Sequence, residues 1–329
     1  MRLHKDEIQK YCKNKPNITL SIAMHEKGID SIQSFGNNGV VITPETRAYE
    51  MGSISKVILS TFLAKCLENE VLTLDDTIDQ YIDLPSGITY PSIGELATHT
   101  SGYKRNPNLF TSPLKAISYL FFSDKKQSNP LTQFDIEWLV DTVVGISQKS
   151  RKNGRFQYSN FGFSVLAYVV GKALGSAYCD YITSYINDDL SLSSTSYDSE
   201  KIAMVHGYKK DTNYGNMKWP EASAYAPAGC ICSTAADMLN FAKMNLYDEK
   251  SYLTFSHQKQ VSDKSFDVGL GWIIEKDNDI IWHNGRTSMF YSFLAISKSK
   301  EQAIVLFSNC ISGSGLSEEK LNLSLLRSD

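Results

Sequence analysis

Residues 53–69 read SISKVILSTFLAKCLEN, and the rest of the chain is best read outward from them. Ile54, Val57, Ile58, Phe62, Leu63, Cys66 and Leu67 recur at helical spacing, which predicts a long amphipathic helix opening at Ser53. Acidic, turn-rich sequence around Asp75 and Asp76 follows it. Toward the N-terminus, Ile18–Met24 and Ser31–Phe35 are strand-like, Gly36-Asn37-Asn38-Gly39 is a turn, and residues 5–13 suggest a short polar helix. Toward the C-terminus, Phe161–Ala173 is an apolar run suited to a buried helix. Ala235–Met244 is a further helix with Ser233 and Thr234 as cap candidates. Beyond Gly269, the segments Leu270–Ile274, Asp279–Trp282, Ser292–Ile296 and Ala303–Ser308 are strand-like and separated by polar turns.

Strands at both ends with helical sequence between them predict an α+β fold, an α/β sandwich. An antiparallel sheet would be built from both termini and flanked by helices, with an inserted, mainly helical subdomain. The expected boundaries are residues 1–75 plus 225–329 for the sheet-bearing part and 76–224 for the helical part, together one catalytic unit.

Composition narrows the function classes. With 42% hydrophobic and 21% charged residues the chain can bury a core and is not a disordered tail. A net charge of -3 supplies no basic field for nucleic acid or an anionic membrane surface. The positive cluster Lys149–Arg155 is short, interrupted and suited to a solvated loop. No run reaches the length of a bilayer span. The opening Met1-Arg2-Leu3-His4-Lys5-Asp6-Glu7 has no apolar stretch after it, so a cytoplasmic setting is expected. None of the six cysteines forms a C-x-x-C pair, and Cys66 and Cys179 lie in apolar runs where a thiol is usually a small buried hydrophobe.

Three short stretches carry chemistry. In Gly52-Ser53-Ile54-Ser55-Lys56, a lysine three residues after a serine lies on the same helical face, one turn on. A desolvated lysine can lose its proton and act as base toward the serine hydroxyl. The same spacing recurs at Ser112, Ser256 and Ser297 among others, but only the Ser53 copy opens a long helix. Tyr158-Ser159-Asn160 offers a phenol for proton relay and an amide for holding a substrate. His283-Asn284-Gly285 follows a strand-like run, and its glycine would let a substrate lie close to an edge strand. An isolated histidine there is ordinarily a hairpin residue without a chemical role.

The order and context of these stretches resemble the serine β-lactamase and penicillin-binding-protein superfamily, in its class C β-lactamase and esterase branch. Glu95–Gly102, containing Thr98-His99-Thr100-Ser101-Gly102, is similar to that branch's "LLTHTSG" signature. Phe156–Gly162 is similar to "FxYSNxGY", Pro227–Gly229 with Ser233–Asp237 to "PAGGLYSTAxD", and Gly269–Trp272 to "GLGW". The resemblance implies a Ser53 nucleophile, a Lys56 proton partner and Tyr158 in the proton traffic. It implies that Asn160 holds Lys56 and the substrate amide, and that the backbone N–H groups of Ser53 and Arg286 form an oxyanion hole. His283, Asn160, Gly285 and Arg286 would contact substrate. His99 is expected to be structural.

The main departure is His283 and Asn284 where β-lactamases and transpeptidases carry lysine and a hydroxyl residue. A neutral imidazole binds a carboxylate poorly, which disfavours efficient β-lactam turnover; Arg286 is a candidate replacement cation, with a solvated arginine at a strand end as the alternative reading. The implied activity is a serine hydrolase cleaving small esters, D-amino-acid peptides or β-lactam-like compounds through an acyl-enzyme. Acyl transfer or transpeptidation, and a non-turnover ligand sensor, are the alternatives. No metal or cofactor is implied, and the expected partner is a small-molecule or peptide substrate. An α/β-hydrolase would need G-x-S-x-G, and the only glycines four apart, Gly171 and Gly175, enclose Ala173.

Overall fold

The computed structural model describes residues 5–107, 130–147, 154–209, 211–220, 222–311 and 316–326. Ser112 and most of the Lys149–Arg155 cluster lie outside them. The largest element is a nine-stranded antiparallel sheet. In chain order its strands are β1 (Leu20–Glu26), β2 (Ile29–Phe35), β3 (Val41–Ile42), β4 (Val261–Ser262), β5 (Phe266–Val268), β6 (Ile273–Glu275), β7 (Ile280–Arg286), β8 (Tyr291–Ser297) and β9 (Gln302–Ser308). The spatial order is β3-β2-β1-β9-β8-β7-β6-β5-β4. N-terminal β1 therefore pairs with C-terminal β9, from Leu20 opposite Ser308 to Glu26 opposite Gln302. The expected sheet from both termini is present.

The described helices are α1 (Lys5–Cys12), α2 (Ile54–Glu68), α3 (Ile93–Ala97), α4 (Ile136–Ser147), α5 (Asn160–Leu174), α6 (Tyr178–Ser184), α7 (Ala235–Leu246), α8 (Ser251–Ser256) and α9 (Leu316–Leu326). Strand alternation divides the core. Ala23, Val305 and Phe307 face a large cluster that includes residues of α2, α5 and α7. Ile22, Met24, Ile304 and Leu306 face a smaller one with residues of α1 and α9. Strands covered on both faces become continuous apolar runs, which is why every residue of β8 and β9 is buried.

Local chemistry sets the helix ends nearest the site. Ser159 caps α5 by accepting the Gly162 N–H at 2.8 Å, and Gly175 closes that helix at φ 63°, a left-handed conformation suited to glycine. Thr234 caps α7 through the Asp237 N–H at 3.2 Å.

Two expectations change. Helix α2 is not amphipathic: every residue from Ile54 to Ala64 is buried, so it is a central core helix. Residues Leu270–Trp272 are not strand. Gly271, at φ +69°, turns the chain, and its N–H donates to the Ala97 carbonyl at 3.0 Å. Leu270 and Trp272 are both fully buried around that turn, and the ladder starts only at Ile273.

Candidate active site

Ser53 is the N-cap of α2, and its hydroxyl makes no capping bond. That leaves Oγ available to Lys56, on the first turn of the same helix. Lys56 Nζ lies 3.0 Å from Ser53 Oγ and donates to the Ala228 carbonyl at 2.6 Å. Lys56 is 0% exposed. Burial, with the Arg105 guanidinium as a second cause, holds its amine well below the usual lysine range. A neutral amine that gives one N–H to Ala228 can turn its lone pair to the Ser53 hydroxyl. The 3.0 Å separation is then that of a hydroxyl donating to its base.

Two glycines bring the Ser53 loop against the sheet edge. A Cβ on Gly285 would lie 1.9 Å from the Met51 carbonyl oxygen and 2.3 Å from Ser292 Oγ. Ser292, opposite Gly285 on β8, donates its hydroxyl to that same carbonyl at 2.6 Å. Gly52 has φ +53°, and a Cβ there would meet the Arg286 backbone nitrogen at 2.7 Å. The chain at Met51–Ser53 thus lies directly on the backbone of the last residues of β7.

Tyr158 precedes the cap of α5. Its hydroxyl is buried and no partner meets hydrogen-bond geometry. Burial pushes the phenol up to about 12, while the nearby Ser53 hydroxyl and Arg105 pull the other way. The Tyr158 ring centroid is 5.2 Å from Lys56 Nζ and 6.1 Å from the His283 ring. His283 is buried, and its Nδ1–H donates to the Asn284 carbonyl at 2.6 Å. Burial, with Lys56 close by, pushes the imidazole down to about 3, so at neutral pH the ring is uncharged.

The structure gathers Ser53, Lys56, Tyr158, His283 and Gly285 around one point. Two residues stand differently from the sequence reading, and a third settles between its two readings. Asn160 does not hold Lys56: its Nδ2 donates to Asn106 Oδ1 at 3.0 Å, and the Lys56 amine donates to the Ala228 carbonyl. Arg286 brings its backbone to the Ser53 loop, but alternation along β7 sends its side chain to the face opposite His283, beside Tyr291. His283 is not in a hairpin turn, because β7 continues through it to Arg286.

His99 and Arg105 were not placed at the site by sequence. The His99 ring lies 4.5 Å from that of Tyr158. Its Nδ1 accepts the Ser159 N–H at 3.1 Å, and it sits at φ +59°. The Thr98-His99-Thr100-Ser101-Gly102 stretch was the available signal. Arg105 carried no signal, although its guanidinium carbon stands 5.1 Å from the Tyr158 ring centroid.

Among curated proteins, the chain is 26% identical over 271 residues to PbpX of Bacillus subtilis (strain 168), covering 80% of this chain and 62% of that protein. It is 21% identical over 287 residues to protein flp of Staphylococcus aureus (strain NCTC 8325 / PS 47), covering 82% of this chain and 54% of that one. The chain thus spans between half and two thirds of the length of these relatives. Among solved structures, a class C β-lactamase from Rhodobacter sphaeroides superposes with a TM-score of 0.75 at 19% identity, over 98% of this chain and 96% of that one. A β-lactamase/D-alanine carboxypeptidase from Pseudomonas syringae does so with a TM-score of 0.75 at 17% identity, over 99% and 97%. These likenesses assign the β-lactamase/transpeptidase-like fold. The family model described as Beta-lactamase matches residues 34–323, nearly the whole chain, and with it the chain belongs to the serine β-lactamase and penicillin-binding-protein superfamily.

Proposed function

We propose that the chain is a serine hydrolase that cleaves an ester or amide through an acyl-enzyme on Ser53. Membership of this family implies serine acyl-enzyme chemistry, by hydrolysis or by transpeptidation. The observation that carries the reading is the fully buried Lys56 amine 3.0 Å from the Ser53 hydroxyl.

Ser53 Oγ attacks the substrate carbonyl carbon as its proton passes to the Lys56 lone pair. The carbonyl electron pair moves to oxygen, where the Ser53 and Arg286 N–H groups receive it, each such donor contributing about 3 kcal/mol. Collapse re-forms the carbonyl and expels the leaving group, which takes the proton from Lys56 by way of the Tyr158 phenol. A phenol held at about 12 stays protonated and can both donate and accept along that path. Water then attacks the acyl-enzyme through the same groups in reverse. An uncharged His283 does not itself attract a carboxylate, so recognition of an acidic substrate falls to another cation.

The test is mass spectrometry after exposure to a fluorophosphonate, with a chromogenic ester assayed in parallel. The expected result is one adduct on Ser53, ester turnover, and neither in Ser53→Ala. A labelled protein without turnover points instead to a ligand sensor, and an unlabelled Ser53 ends the reading. Faster release of the ester's alcohol on addition of an amine would identify acyl transfer.

A further inference from the structure

Little formal positive charge faces the nucleophile from the residues assigned so far. Burial holds the Lys56 amine well below the usual lysine range and pushes the His283 imidazole down to about 3. The Arg286 side chain leaves β7 on the other face, beside Tyr291. Arg105 is the exception.

Four hydrogen bonds, two of them to the Arg105 carbonyl, fix residues 104–106 to the segment that bears Tyr158. Ser159 Oγ donates to the Lys104 carbonyl at 2.9 Å. The N–H groups of Asn160 and Phe161 both donate to the Arg105 carbonyl, at 3.0 and 3.2 Å. Asn160 Nδ2 donates to Asn106 Oδ1 at 3.0 Å. From this anchor the exposed Arg105 side chain sets its guanidinium carbon 5.1 Å from the Tyr158 ring centroid, and Lys56 Nζ lies 5.2 Å from the same centroid. Among the described residues no carboxylate pairs with Arg105. A guanidinium beside an aromatic ring keeps its planar fork of N–H donors, which matches a carboxylate bidentately.

We infer that Arg105 is the specificity-determining cation of this site: it receives a carboxylate of the acyl donor and so selects acidic substrates over neutral ones. The inference rests on the acyl-enzyme reading above and assigns to Arg105 the role that the sequence suggested for Arg286. The pinned backbone matters to the argument. An arginine on a free loop loses side-chain and loop entropy on binding, whereas this one has only its side chain to order.

The test compares two fluorophosphonates of equal length, one ending in methyl and one in carboxylate. Second-order rates of Ser53 labelling are measured for wild type, Arg105→Ala, Arg105→Gln and Arg286→Ala. The ratio of the two rates does not depend on the fraction of folded protein, because both reagents meet the same sample. The carboxylate reagent should be favoured by wild type, and both Arg105 variants should lower the ratio about 10- to 100-fold, the scale of one charge-assisted hydrogen bond. Arg286→Ala should keep the wild-type ratio. An unchanged ratio in the Arg105 variants, or a collapse in Arg286→Ala instead, overturns the inference while leaving Ser53 as nucleophile. A wild-type protein that gives no Ser53 adduct with either reagent overturns the acyl-enzyme reading and this inference with it.

Discussion

Replacing Gly285 by alanine probes how closely the sheet edge sets the nucleophile. The added methyl would start 1.9 Å from the Met51 carbonyl oxygen and 2.3 Å from Ser292 Oγ. Ser292 can rotate away at the cost of its 2.6 Å bond to Met51, but the carbonyl belongs to the backbone two residues before Ser53. Reaching even a tight contact of 3.0 Å requires the Met51–Ser53 loop and β7 to separate by about 1 Å. Overpacking of this kind costs about 1–3 kcal/mol of stability. The larger effect falls on the chemistry, because a misplacement of about 1 Å at a reacting centre can cost roughly 10²-fold in rate. The separation also draws the Ser53 and Arg286 N–H groups apart. The assay is the rate of Ser53 labelling by a fluorophosphonate together with the melting temperature. The expected outcome is a labelling rate about 100-fold below wild type with a melting temperature lower by a few degrees. An alanine variant that labels and melts like wild type would show that the close approach plays no part in placing Ser53.

Two further outcomes follow from burial. Lys56→Met should reduce Ser53 labelling about 10²- to 10⁴-fold, the scale of a lost general base. In the wild type, labelling should fall as pH drops through the lowered Lys56 value and level off below the range of an ordinary lysine; a rate that keeps climbing toward pH 10 would mean an ordinary lysine. Glu50, two residues before Gly52, is buried with Oε1 accepting the Met217 N–H and Oε2 unpartnered, and burial raises its carboxyl to about 7. A raised carboxyl binds its proton more tightly in the folded state. Its stabilisation is therefore present below the usual carboxylate range and lost as pH rises through about 7. Glu50→Gln should accordingly gain about 1–3 kcal/mol over wild type at pH 8 relative to pH 5. Melting curves at the two pH values check this, and a pH-independent difference would refute it.

The helix from Ser53, the apolar helix after Asn160 and the long strands at both termini were legible because each is an apolar segment of the length and residue type that its element needs. The misreadings have physical causes. The pattern of α2 suggested one apolar face, yet Ser55, Ser60 and Thr61 are buried as well, their polarity met inside the core or tolerated there. Ser55 Oγ, for example, accepts the Ile231 N–H at 3.0 Å. The strand expected from Leu270 fails because Gly271 turns left-handed where Leu270 and Trp272 both point into the core. Arg105 was invisible because nothing in its local sequence distinguishes an arginine beside a tyrosine from one in solvent.

Sequence alone determined what depends on near neighbours along the chain. A helix period places Lys56 over Ser53, one turn apart on the same face. Only the tertiary structure decided the charges and the distances on which the chemistry turns. The Lys56 amine is held well below the usual lysine range because the folded protein removes it from water and sets Arg105 nearby, and the Ser53 loop stands where it does because Gly285, more than two hundred residues away in sequence, has no side chain to hold it off. Desolvation and close contact are sums over everything that surrounds a group, and most of what surrounds these groups comes from distant parts of the chain.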